Sequence, residues 1–223
     1  MERMRITSGD QELAADLVEP EGGVRRGGYS VLMVHGYGSS RQSYLRRATD
    51  VARRTGHTCL VFDLRGHGDS PGELLALTRE DHLRDVTAAY DALAEAPGIE
   101  RIGVCAASYG AYLTCLLVAD RPVDRLLLRA PALYVDTDGP EPSRQHLSQL
   151  LDAAPALRAL RGFDGHTMVL EGERDEVISQ DAIQGYLGTA RHVTHRVLAG
   201  ATHSLTEESW NRAFIDEIVD WFS

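Results

Sequence analysis

Cysteine is scarce, long apolar runs are missing and positive charge is outnumbered. The 223 residues include three cysteines, Cys59, Cys105 and Cys115, each inside an apolar segment. An odd trio cannot close a disulfide framework within one chain, so buried thiols and a reducing, cytoplasmic setting are expected. No stretch nears the roughly 18 apolar residues that cross a bilayer. The opening Met1-Glu2-Arg3-Met4-Arg5 is charged and no apolar core follows it, so neither a membrane span nor a secretory leader is expected. Lys plus Arg total 23 against 33 Asp plus Glu, a net charge of −10, which makes nucleic acid and anionic membrane poor partners. Neither C-x-x-C nor H-E-x-x-H occurs, and His192 and His195 lack partners at ligand spacing, so no metal is expected. The loop His35-Gly-Tyr-Gly38 lacks the later glycine of G-x-G-x-x-G and the lysine of a P-loop, so no nucleotide is expected.

What is present is 43% apolar and 25% charged residues in periodic segments, enough for one globular domain spanning residues 1–223. Arg3 to Thr7 and Glu12 to Val18 alternate on either side of Ser8-Gly-Asp-Gln11, the pattern of an antiparallel hairpin. The rhythm then changes to compact apolar strands at Ser30–Val34, Thr58–Phe62, Arg101–Ala106, Arg125–Arg129, Thr167–Glu171 and His192–Leu198. Helical patterns separate them, one opened by Thr78 and Asp81 in capping-box fashion. Alternation of this kind predicts an α/β fold, a mostly parallel twisted sheet with helices on both faces. Residues of about 132–164 interrupt the alternation and predict a small helical cap, whose leucines 147, 150, 151, 157 and 160 are candidates for lining an acyl pocket.

Two serines compete for the role of nucleophile. Gly68-Asp-Ser70-Pro-Gly72 matches G-x-S-x-G literally, but Pro71 has no N–H to offer an oxyanion and no strand leads into Ser70. Ala106-Ala-Ser108-Tyr-Gly110 matches imperfectly, yet strand Arg101–Ala106 leads in and an apolar helix leads out. Ser108 is therefore the expected nucleophile, because a sharp strand-to-helix turn both exposes the hydroxyl and aims the next amide at the reacting oxygen. A serine hydroxyl also needs a base and a group that orients the base. Asp175 follows the strand ending at Glu171, and His203 follows the strand ending at Leu198, each at the sheet edge where parallel sheets bind ligands. Glu173 and Glu176 compete with Asp175, which is favoured by its place just before the apolar pair around Val177. His203 alone among nine histidines combines a post-strand loop, the right chain order and a following helix. The backbone N–H groups of Tyr37 and Tyr109 are the expected oxyanion hole.

With these motifs in order, the sequence resembles the α/β-hydrolase superfamily over nearly its whole length. Within it, the Ser-Tyr-Gly elbow and small cap are similar to compact esterases of the cinnamoyl-esterase and dienelactone-hydrolase kind. The elbow is also similar to the Ser-Tyr-Gly-Gly-Tyr of prolyl-oligopeptidase-like peptidases, from which Ala111 departs. The resemblance implies the α/β-hydrolase fold and a two-step acyl transfer without a cofactor. Ser108 attacks, His203 relays the proton, Asp175 holds the imidazole and water releases the acyl group. The expected substrate is a small to medium carboxylic ester. A thioesterase or peptidase using the same triad, and a non-catalytic binding protein on the same fold, are the alternatives.

Overall fold

The computed structural model describes residues 1–22, 27–135 and 153–223. Eight strands, β1 (Glu2–Ser8), β2 (Gln11–Val18), β3 (Tyr29–Val34), β4 (Cys59–Phe62), β5 (Arg101–Ala107), β6 (Arg125–Arg129), β7 (His166–Gly172) and β8 (His192–Leu198), form one sheet in the order β1-β2-β4-β3-β5-β6-β7-β8. β1 and β2 are the expected antiparallel hairpin, with Ile6 opposite Leu13, and β2 joins β4 antiparallel. Every pairing from β4 to β8 is parallel. Six helices lie among the described residues: α1 (Gln42–Thr55), α2 (Arg79–Ala94), α3 (Tyr109–Leu117), α4 (Pro155–Arg161), α5 (Gln180–Thr189) and α6 (Glu208–Phe222).

Side-chain alternation along the central strands explains why both faces are covered. Leu32, Val34, Val104, Ala106, Leu126 and Leu128 point into one core with residues of α2 to α5. Val31, Met33, Cys105 and Leu127 point into a second core closed by α1 and α6. α2 begins with the predicted capping box, the Thr78 hydroxyl accepting from the Asp81 amide while the Asp81 carboxylate accepts from the Thr78 amide. The three thiols are buried and unpaired, and burial pushes that of Cys105 up to about 12.

In the region of the expected cap, residues 136–152 lie outside the described residues, and with them leucines 147, 150 and 151. Leu157 and Leu160 are described, and they correct the expectation for their positions. Both lie on the inner face of α4, fully buried in the α2–α5 core, and neither is among the described residues that line the cavity at Ser108.

The segment Asp63–Ser70 after β4 is fixed by buried charge. Arg41, immediately before α1, meets Asp16 on β2 at 2.8 Å, Asp63, and Asp69 at 2.8 Å. Arg65 meets Asp85 on α2 at 2.7 Å, and Ser8 of β1 also donates to that carboxylate. Ser70 donates to the Asp63 carbonyl and accepts from the Ala14 amide. The literal G-x-S-x-G match is thus a turn whose serine ties the β4 end to β2.

Candidate active site

β5 runs directly into α3 through Ser108, whose backbone sits at φ 51°, ψ −117°. This left-handed conformation disfavours any residue with a Cβ and turns the side chain out at the sheet's carboxyl edge. Close packing enforces it: a Cβ on Gly110 would lie 2.4 Å from the His35 carbonyl oxygen and 2.8 Å from that of Val34. At the end of the neighbouring strand, Ala130 is the other non-glycine residue with positive φ among the described residues. The two turns are stitched together, the Ser108 amide donating to the Arg129 carbonyl and the Ala132 amide to the Ser108 carbonyl.

The loops after β7 and β8 bring Asp175 and His203 together. His203 Nδ1 lies 2.8 Å from Asp175 Oδ2, while Asp175 Oδ1 accepts from the amides of Val177 and Ile178. Burial opposes ionisation of Asp175, yet the His203 bond and the two amides outweigh it and hold the carboxyl below the usual range. Its neighbour Glu173 serves another purpose, accepting from the Gly200 amide and so tying the two loops to one another. Of the apolar pair expected to anchor this turn, Ile178 is buried and Val177 is 60% exposed. Ser108 and His203 line one cavity of about 370 Å³, along with Tyr37 and Gly38.

The loop His35–Gly38 lies against the elbow: a Cβ on Gly36 would sit 3.3 Å from Ser108 Cβ. Three buried histidines lie in and beside this loop; sequence reading placed His35 in the glycine loop and otherwise weighed the three only as competitors of His203. His35 donates from Nδ1 to the Gly36 carbonyl and accepts at Nε2 from the Leu64 amide. His67 donates to the Arg65 carbonyl and accepts from the Gly38 amide. His82 donates to the same Arg65 carbonyl and accepts from the Tyr109 hydroxyl. The bonds of His35 and His67, each accepting from a backbone N–H, require a neutral ring, and burial lowers the pKa of all three histidines, that of His35 to about 4. The sequence signal available for them was a histidine beside a glycine at a strand end, in His35-Gly36 and Gly66-His67-Gly68.

A pH dependence of stability follows. The His35 value is depressed on folding, so its contribution is whole above the unfolded value near 6.5 and is lost as pH falls toward 4. The gap corresponds to about 3 kcal/mol. Urea unfolding of the wild type should weaken across that window, and His35→Asn should show a flatter dependence; parallel curves for the two proteins would refute the assignment.

Arg47 and Arg129 also line the cavity, and sequence reading passed over both. Arg129 donates to the His203 carbonyl at 2.8 Å, and Arg47 donates to the Asn211 side chain. No group of three or more candidate metal ligands occurs among the described residues, and no described helix is long and apolar enough to cross a membrane.

The sheet order, the hairpin and the elbow define the fold of the α/β hydrolases, and solved structures agree. Est1E from Butyrivibrio proteoclasticus, determined with ferulic acid bound, superposes with a TM-score of 0.79 at 16% identity, over 97% of this chain and 96% of its own. The dienelactone hydrolase of Anabaena variabilis gives 0.76 at 20% identity, over 99% and 95%. The Pyrococcus furiosus esterase Pf2001 gives 0.75 at 20%, over 99% and 90%. The family described as serine aminopeptidase, S33, matches residues 28–167, and the chain belongs to that family of hydrolases. The match includes Ser108 and ends before Asp175 and His203. Among curated proteins none matches.

Proposed function

We propose that this protein is a serine hydrolase that cleaves a small to medium carboxylic ester through an acyl-enzyme. The observation that carries the reading is the 2.8 Å His203–Asp175 bond in loops that share a cavity with Ser108 at a left-handed strand-to-helix turn. Ser108 Oγ attacks the ester carbonyl while His203 Nε2 takes its proton. Asp175 accepts from Nδ1, which leaves Nε2 as the basic nitrogen and stabilises the imidazolium as it forms. The Tyr37 and Tyr109 amides receive the charge on the carbonyl oxygen, each worth about 3 kcal/mol in the transition state. His203 then protonates the departing alkoxide, and a water repeats the sequence on the acyl-enzyme.

One domain carries all of these groups, and three buried free thiols suit a reducing cytoplasm. The description of the family favours a second reading, a peptidase. The two separate on leaving group, since an amine must be protonated to depart whereas an alkoxide leaves more readily. The test is kcat/KM across short-chain and aromatic esters, matching thioesters, an aminoacyl amide and a long-chain triglyceride. Short or aromatic esters should be preferred; a preference for the amide would establish the peptidase instead, and a preference for triglyceride would overturn the size assignment.

A further inference from the structure

Among the described residues, the cavity beside Ser108 is lined by two guanidinium groups and no carboxylate. Arg47, from the second turn of α1, and Arg129, the last residue of β6, both line it, and no Asp or Glu does among the described residues. This contrasts with the treatment of arginine elsewhere in the chain, where Arg41, Arg65 and Arg121 are each met by aspartate. Arg46, the neighbour of Arg47 on the outer side of α1, pairs with Glu208. Neither Arg47 nor Arg129 has an ion pair among the described residues.

Their hydrogen-bonding capacity is also largely unspent. A guanidinium has five N–H donors. Arg47 commits Nη2 to Asn211, while its Nε is buried without a partner. Arg129 commits Nη1 to the His203 carbonyl and also faces the buried Tyr44 hydroxyl. Aromatic rings set the positions of both groups: Arg47 lies 5.0 Å from the Tyr44 ring centre and 5.2 Å from that of Phe214, and Arg129 lies 5.9 Å from Phe214. Burial lowers the pKa of Arg47, and the like charge of Arg129 lowers it further. Two half-buried cations with no counter-charge among the described residues are unfavourable side by side, and an anion between them removes that penalty. The planar fork of each group matches a carboxylate in shape as well as charge.

We propose that Arg47 and Arg129 form a carboxylate-binding subsite, and that the preferred esters are those with a carboxylate a few atoms from the scissile carbonyl, as in a monoester of a short dicarboxylic acid. The ester part of this statement rests on the function proposed above; the anion site does not. A cavity of about 370 Å³ suits such a compact molecule. The overall charge of −10 gives no long-range attraction to an anion, so selection is made by contact inside the cavity.

Two measurements test the proposal separately from the esterase reading. The first is calorimetric titration of the Ser108→Ala protein with monomethyl glutarate and with neutral dimethyl glutarate. The anion should bind about tenfold or more tighter, the scale of one charge-assisted contact. Adding Arg47→Met should abolish the difference. The second is the ratio of kcat/KM for 4-nitrophenyl hemiglutarate to that for its methyl ester. The ratio should exceed one in the wild type and fall toward one in Arg47→Met and Arg129→Met, through KM for the anionic substrate. Arg47→Lys should restore part of it, and Arg46→Met should leave it as in the wild type. Equal binding of anion and neutral ester, or variants that slow both esters in proportion, would overturn the subsite and leave the arginines as struts. Tight binding of the anion to a protein that hydrolyses no ester would uphold the subsite and remove the esterase reading.

Discussion

Ser108→Ala should abolish both ester turnover and labelling by a fluorophosphonate probe, whereas Ser70→Ala should keep both. The expected loss is on the order of 10⁶-fold in kcat, the scale seen when the nucleophile of a serine hydrolase is removed. Alanine at position 108 retains the Cβ, so the elbow keeps its shape and the loss reports chemistry rather than folding. Ser70 is the proper control because its hydroxyl is fully engaged, donating to the Asp63 carbonyl and accepting from the Ala14 amide. Its removal leaves one buried amide without a partner, at about 1–3 kcal/mol of stability, yet nothing at the cavity changes. Mass spectrometry of the labelled peptide locates the adduct directly; an adduct that persists in Ser108→Ala would reject the nucleophile.

The second large effect belongs to Asp175. In Asp175→Asn the amide oxygen can still accept from Val177 and Ile178, so the loop holds. The amide NH₂ then faces Nδ1 of His203 and favours the tautomer with its proton on Nε2, the nitrogen that must accept from serine. Turnover should fall by about 10⁴-fold, as it does when a triad aspartate is made neutral without change of shape. Glu173→Gln should lose little, because a glutamine oxygen can keep the Gly200 bond that ties the loops together. Circular dichroism and the unfolding midpoint of each variant separate lost chemistry from lost structure. Full activity in Asp175→Asn, with inactivity in Glu173→Gln or Glu176→Gln, would reassign the acid.

The fold was legible because its signals are local. Strands buried on both faces read as compact apolar runs, such as Ser30–Val34, and the hairpin read as alternation. Ends drifted by a residue or two where a polar residue continues a strand, as at His166 and Gly172 of β7. Ser108, Asp175 and His203 could be singled out because each follows a strand and the order is diagnostic. What escaped was set by contacts distant in sequence. His35, His67 and His82 have nothing in their own neighbourhoods that announces a hydrogen bond to another loop, and they read as competitors for one role. Arg47 read as one more charge on a helix and Arg129 as a strand end. Their meaning depends on Phe214, far along the chain, lying between α1 and β6. The apolar pair after Asp175 was legible as an anchor but not which member serves, because Val177 and Ile178 are equally apolar and only packing decides which of them turns inward.

The backbone at Ser108 has a consequence for how this protein changes under selection. A non-glycine residue held at φ 51° costs about 1–3 kcal/mol, and Ala130 bears a similar conformation at the end of the adjacent strand. A glycine at either position removes the strain, and at 108 it also removes the hydroxyl. A library screened for heat resistance alone therefore gains by erasing the proposed nucleophile. Stability and activity pull in opposite directions at this one codon, and thermostable descendants keep their chemistry only where turnover is scored in every round.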